Sequence, residues 1–140
     1  MMYLRKLGGE SLDAILDTDR WKLEGRSLND EDVKFLIERA LSSGRLSAVK
    51  EIDLGKNQIQ NEGAQLLIQA LPKASSLETL SLANNKLSAA GATALGGLLA
   101  GSLTSLNLRD NVLGTAGWCA FFNALRDNTE NKIASWELAG

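Results

Sequence analysis

The chain has 140 residues, the length of a single domain. Its 44% hydrophobic and 23% charged residues exclude a disordered or fibrous composition, and a net charge of −2 leaves no basic footprint for nucleic acid or an anionic membrane surface. The departure from average lies in leucine, 26 of the 140 residues against 5% aromatics, so a repeated unit built on leucine is expected.

The first ten residues, Met1 to Glu10, lack the continuous apolar stretch of a secretory signal. Residues 1–17 read as an N-terminal capping segment. Within it Ser11 to Asp17 form a short helix whose Leu12, Ile15 and Leu16 close the N-terminal end of the core. From residue 18 onward the sequence repeats itself. The first copy, 18–48, carries Trp21, Leu23 and Leu28 at its apolar positions. Unit 49–76 opens on Val49-Lys50-Glu51-Ile52-Asp53-Leu54-Gly55-Lys56-Asn57-Gln58-Ile59. Leu77-Glu78-Thr79-Leu80-Ser81-Leu82-Ala83-Asn84-Asn85-Lys86-Leu87 opens unit 77–102, and Leu103-Thr104-Ser105-Leu106-Asn107-Leu108-Arg109-Asp110-Asn111-Val112-Leu113 opens unit 103–132. All three read L-x-x-L-x-L-x-x-N-x-L, with a Gly four residues beyond the last apolar position (Gly63, Gly91, Gly117). A partial copy, Ile133-Ala134-Ser135-Trp136-Glu137-Leu138, fills 133–140. The central positions 21, 52, 80, 106 and 136 are spaced by 31, 28, 26 and 30 residues.

The alternation x-L-x-L-x has period two and makes a short strand with one leucine face and one variable face. The Asn after it sits where the chain turns inward, and its amide is expected to pair with orphaned backbone groups of its own and the next turn. Asn57, Asn85 and Asn111 then form a structural ladder. A helix comes next, with Asn61, Ser88 and Thr115 at the N-cap place and Asn29 or Asp30 in the first copy. Pro72, Gly101 and Asn128 are placed to stop these helices. Residues 87–108 carry no charge over 22 positions, but they include four Gly and six Ser, Thr or Asn with spaced leucines, so membrane insertion is not expected.

These residues closely resemble the ribonuclease-inhibitor-like subclass of leucine-rich repeats, over roughly residues 18–140. The resemblance implies an α/β fold: a right-handed β-α solenoid of about four to five repeats, with a concave parallel sheet and convex helices. The sequence departs from the pattern at Arg26 in place of the ladder Asn, at Asp32 in place of the helix Gly, and at Trp21 and Trp136 in leucine positions. All four fall in end copies, which have a side without a neighbour. Trp136 is expected to be an apolar lid, or the chain to be a fragment of a longer array.

Catalytic chemistry has few materials here. The histidine count is zero, which removes Ser-His and Cys-His pairs, histidine metal sites and the commonest general base, so neither an enzyme nor a metal or cofactor site is expected. The single Cys119 has no intrachain partner and no Asn-x-Ser/Thr acceptor occurs, which suits a reducing, cytoplasmic compartment. Cys119 takes a helix slot held elsewhere by Lys34, Gln65 and Thr93 and reads as a tolerated surface residue. Asp30, Glu31 and Asp32 read as first-turn acids that complement a helix dipole, and Trp118, Phe121 and Phe122 as core filling.

The variable face of the sheet is the better candidate for function. Its rows run Lys22, Asp53, Ser81, Asn107, Glu137; then Arg20, Glu51, Thr79, Ser105, Ser135; then Glu24, Gly55, Ala83, Arg109. Arg20 beside Glu51 and Lys22 beside Asp53 are expected to pair across strands, while Thr79, Ser81, Ala83, Ser105 and Asn107 make a shallow floor of small uncharged residues. The candidate protein-binding residues are therefore Lys22, Asp53, Lys56, Ser81, Asn84, Ser105, Asn107, Arg109, Asp110 and Glu137, with Arg109 the expected anchor. The resemblance implies a protein-interaction module that inhibits or redirects a partner, uses in the family including a bacterial effector delivered into the host cytoplasm. The alternatives are a GTPase-stimulating module resting on Arg109 or Asn107, or a ligand-sensing segment of a larger receptor or scaffold.

Overall fold

The computed structural model describes residues 12–98, 103–127 and 135–137. Elements follow one another as α1 (Leu12–Leu16), β1 (Arg20–Lys22), α2 (Asp30–Ser43), β2 (Glu51–Asp53), α3 (Asn61–Ala70), β3 (Thr79–Ser81), α4 (Ala89–Leu98), β4 (Ser105–Asn107), α5 (Gly114–Asp127) and β5 (Ser135–Glu137). The five strands form one parallel sheet in sequence order. Trp21, Ile52, Leu80, Leu106 and Trp136 lie in register across it, and so do Lys22, Asp53, Ser81, Asn107 and Glu137. This is the α/β solenoid implied by the repeat.

Three-residue strands suffice because only the middle side chain has to be buried. Trp21, Ile52, Leu80 and Leu106 are at most 1% exposed, whereas the residues on either side face outward. Behind the sheet, helix leucines and isoleucines join them in one continuous core with Leu23, Leu54, Leu82 and Leu108, the second leucines of each copy. Burying such side chains contributes about 1.5–3 kcal/mol each, which each unit obtains only by stacking on its neighbours. Trp21 accepts a cost for filling a leucine place at the end of the stack: its indole N–H is buried without a hydrogen-bond partner among the described residues.

The ladder asparagines reach backward along the chain, to the preceding turn, where the sequence suggests the next one. Asn57 Oδ1 accepts the N–H groups of Arg26 (3.0 Å) and Leu28 (2.9 Å), and its Nδ2 donates to the carbonyls of Leu23, Leu54 and Gly55. Asn85 does the same between Ile59 N–H and the carbonyls of Leu54, Leu82 and Ala83. Asn111 bridges Leu87 N–H to the carbonyls of Leu82, Leu108 and Arg109. Among the described residues no repeat turn precedes that of Arg26, the copy in which the ladder Asn is missing.

The starts of α3 and α4 are likewise held from outside their own repeat. Asn29 caps α2 locally, in a capping box with Asp32. In the next two copies the cap comes from the preceding unit: Asp30 Oδ1 accepts Gln60 N–H at 2.8 Å, and Asn61 Oδ1 accepts the N–H groups of Ser88 (3.0 Å) and Gly91 (3.1 Å). Asn61 is therefore the first residue of α3 and serves α4, and Thr115 lies inside α5, so neither is the local N-cap that the sequence suggests. Pro72 falls in a 3-10 turn over Leu71–Lys73 that continues α3, while Gly101 and Asn128 lie outside the described residues.

The residue before each ladder position is left-handed: Gly25, Lys56, Asn84 and Asp110 have φ of 67°, 54°, 54° and 57°. Gly, Asn and Asp enter this region readily, whereas lysine does so at a cost. Lys56→Asn is expected to stabilise the fold by about 0.5–1 kcal/mol, read as a higher urea midpoint with an unchanged slope.

Helix α1 buries Ile15 and Leu16 and packs Leu12 against the core. Its outer side carries an ionic clasp. Asp13 accepts two bonds from Arg39 (3.0 and 2.9 Å) and one from Arg45 (2.9 Å), and Arg45 also reaches Asp17 at 3.0 Å. The hydrogen bonds from Arg39 and then Arg45 hold the Asp13 carboxyl down at about 2, from the usual 3.8. A carboxyl whose pKa is depressed in the folded state stabilises above its unfolded value and loses that contribution as pH falls. Attachment of α1 is therefore expected to weaken between pH 4 and about pH 2. Amide exchange across 12–17 would report it, with Asp13→Asn already weakened at pH 7 and flat over that window.

Candidate functional site on the open face of the sheet

Asp53, Ser81 and Asn107, in register on β2, β3 and β4, and the loop residues after the strands shape a cavity of about 380 Å³ on the face opposite the helices. Its floor is low because the next row places Gly55 and Ala83 between Glu24 and Arg109. A methyl group added at Gly55 would lie 3.2 Å from Asp53 Oδ1 and 3.6 Å from Ser81 Oγ, so the two side chains converge there. Asn84, Lys56 and Asp110 form the far wall, raised by their left-handed backbone.

Seven of the ten residues proposed from sequence line this cavity: Asp53, Lys56, Ser81, Asn84, Asn107, Arg109 and Asp110. Lys22 and Ser105 lie on the same sheet face but outside its lining. Glu137 is the register partner of Asn107, and its side chain lies outside the described residues, as does that of Trp136. Glu24, Gly55 and Ala83 complete the lining and are missing from the ten. Their signal is in the sequence, as two minimal side chains flanked by two long charged ones in a single row.

Backbone and side-chain hydrogen bonds fix the shape. Asp53 Oδ1 accepts Gly55 N–H at 3.0 Å and Asn107 Oδ1 accepts Arg109 N–H at 3.2 Å, locking both as the chain leaves the strand. Strand-like bonding continues past the three assigned residues, with Lys56 N–H on Ala83 carbonyl (2.8 Å) and Asn84 N–H on Arg109 carbonyl (2.9 Å). The charge pattern differs from the side-by-side pairs read from the sequence. Asp53 turns toward Gly55, so Lys22 reaches diagonally to Glu51 at 3.1 Å. Lys56 meets Glu24 at 3.2 Å, and Arg109 lies 3.6 Å from Asp110.

Among the described residues no group of three or more His, Cys, Asp or Glu is placed to hold a metal ion, and no helix is long and apolar enough to cross a membrane. Cys119 is exposed on α5. Phe121 is fully buried, Trp118 partly so, and Phe122 is 45% exposed, so the aromatic cluster fills the core with two of its three rings.

A family model described as leucine-rich repeat matches residues 47–67, 73–96 and 102–118, that is, the second, third and fourth strand-turn-helix units. The human NACHT, LRR and PYD domains-containing protein 13 is 35% identical over a 135-residue alignment that covers 76% of this chain. The chain spans 13% of the length of that relative.

Proposed function

We propose that this chain, a stack of leucine-rich repeats, is a protein-docking module whose working surface is the open face of its sheet, centred on the cavity between Asp53 and Arg109. Leucine-rich repeats generally mediate protein–protein interaction, and the repeats together with the human relative point to a non-catalytic interaction module. The observation that carries the choice of face is the contrast between its two edges and its middle. Charged pairs at the rim surround a floor of Gly55, Ser81 and Ala83, which surrender almost no rotamer freedom on contact.

Two finer assignments belong to this reading. The subclass is ribonuclease-inhibitor-like, because the helices between strands run for 10 to 14 residues where a shorter turn would serve to connect them. The compartment is the cytoplasm, in keeping with one unpaired cysteine on the surface. Of the modes of action open to such a face, a sensing or scaffolding segment of a larger protein is favoured by the relative, whose name lists NACHT and PYD domains beside its repeats. Inhibition or redirection of a bound enzyme by an isolated stack is the alternative mode.

A photo-cross-linking residue at Ser105, on the open face, is expected to capture a partner from the native cell, whereas the same residue at exposed Gln65 on α3 is not. Ala83→Tyr should abolish capture at Ser105. Its neighbours at the equivalent position, Glu24 and Arg109, show that the site accepts long side chains without disturbing the core. Equal capture at Gln65, or capture that survives Ala83→Tyr, would place the working surface elsewhere.

A further inference from the structure

We infer that the cavity on the open face receives a basic side chain, lysine or arginine, projecting from the partner protein, with Asp53 as its counter-charge. This rests on the docking surface proposed above and goes further by naming what the surface recognises. The charges that line the cavity are three acids, Glu24, Asp53 and Asp110, and two bases, Lys56 and Arg109. Both bases have an acid within the lining: Lys56 is 3.2 Å from Glu24, and Arg109 is 3.6 Å from Asp110. Lys22, the register neighbour of Asp53, is taken by Glu51 at 3.1 Å and lies outside the lining.

Asp53 is what remains. One of its oxygens accepts Gly55 N–H at 3.0 Å, and it has no ion-pair partner among the described residues. It is half-buried beside Ser81, whose hydroxyl oxygen converges on the same space and offers a second acceptor. A carboxylate held by a backbone N–H, partly withdrawn from water and next to an empty volume of about 380 Å³ is complementary to a cation that arrives with its own apolar stem. The bare floor at Gly55 and Ala83 gives that stem a place to lie. An anionic group would meet the surplus carboxylate and would have to break the rim pairs to find a cation, so complementarity runs one way.

The test is selection of displayed random peptides on the whole immobilised protein, followed by affinity measurement of the selected peptides on three forms of it. Peptides carrying a Lys or Arg at one fixed position are expected. They should lose about tenfold in affinity on Asp53→Asn, which keeps the acceptor for Gly55 N–H, and should lose all measurable binding on Ala83→Tyr. Replacing the fixed arginine by citrulline, which has the same shape without the charge, should cost a similar factor. Peptides blocked by Ala83→Tyr but indifferent to Asp53→Asn and to citrulline would overturn the basic-anchor inference while leaving the docking face intact. Peptides indifferent to Ala83→Tyr, or no peptides at all, would overturn both.

Discussion

Asn57→Ala is expected to cost about 3–5 kcal/mol of folding free energy, the largest effect of any single polar-to-alanine change in the stack. The side chain is 7% exposed and makes five hydrogen bonds, all to backbone groups, spanning the turns of two consecutive repeats. Truncation orphans the two N–H groups and takes a donor from the Leu23 carbonyl, while the Leu54 and Gly55 carbonyls keep bonds from Asn85 Nδ2 and Gly25 N–H; each buried orphan costs about 1–3 kcal/mol before water or a shifted neighbour recovers part of it. Since a domain of this size has about 5–15 kcal/mol in total, the variant sits close to its unfolding threshold. The comparison with Asn111→Ala makes the argument specific. Asn111 is half-buried, its amide oxygen accepts one N–H, and one of its three donated bonds is long at 3.4 Å, so its loss should be clearly milder. Urea unfolding of the two variants gives the order directly; equal midpoints would show that the ladder bonds do not set stability.

The second large effect runs against ordinary helix propensity. Alanine is normally better than glycine inside a helix by about 1 kcal/mol, yet Gly91→Ala is expected to destabilise by about 2–4 kcal/mol. A methyl group there would collide with Asn61 Oδ1 from the preceding repeat and stand 3.4 Å from Asn61 Cα, so the side chain that caps α4 has to leave. With it go the bonds to Ser88 N–H, Gly91 N–H and Ser88 Oγ. Gly63 has the same role toward Asp30 and Ile59. A double-mutant cycle isolates the cause: in an Asn61→Ala background, whose own cost is about 1 kcal/mol for a lost cap, Gly91→Ala should be neutral or stabilising. If Gly91→Ala is equally costly in both backgrounds, the collision is not the reason for the glycine.

Much of this could be read before the fold was known, because strand registers follow from period-two alternation plus a fixed offset. The rows through Lys22, Asp53, Ser81 and Asn107 and through Arg20, Glu51, Thr79 and Ser105 are those of the sheet. What stayed hidden were contacts decided by side-chain length and by packing between units. Asn61 looks like a local cap because it has the right chemistry at the right place, yet helix packing sets it against the next helix, 27 residues on. The Lys22–Glu51 diagonal depends on Asp53 having turned to its own backbone, which no pairwise pattern displays. Asp32, an apparent exception to the glycine rule, falls in α2, whose cap is local and where its carboxylate accepts the N–H of Asn29. The cavity was half legible: its charged members stood out, while Gly55 and Ala83, which make it a hollow, carry no chemistry of their own.

The junctions from the first unit to the second and from the second to the third are thus fastened twice, the amide of the later repeat reaching back on the strand side and the cap of the earlier one reaching forward on the helix side. Fraying of one member strips its neighbours of their partners on both flanks. Thermal denaturation should consequently appear as one sharp sigmoid, without the staircase of shoulders that loosely coupled arrays display.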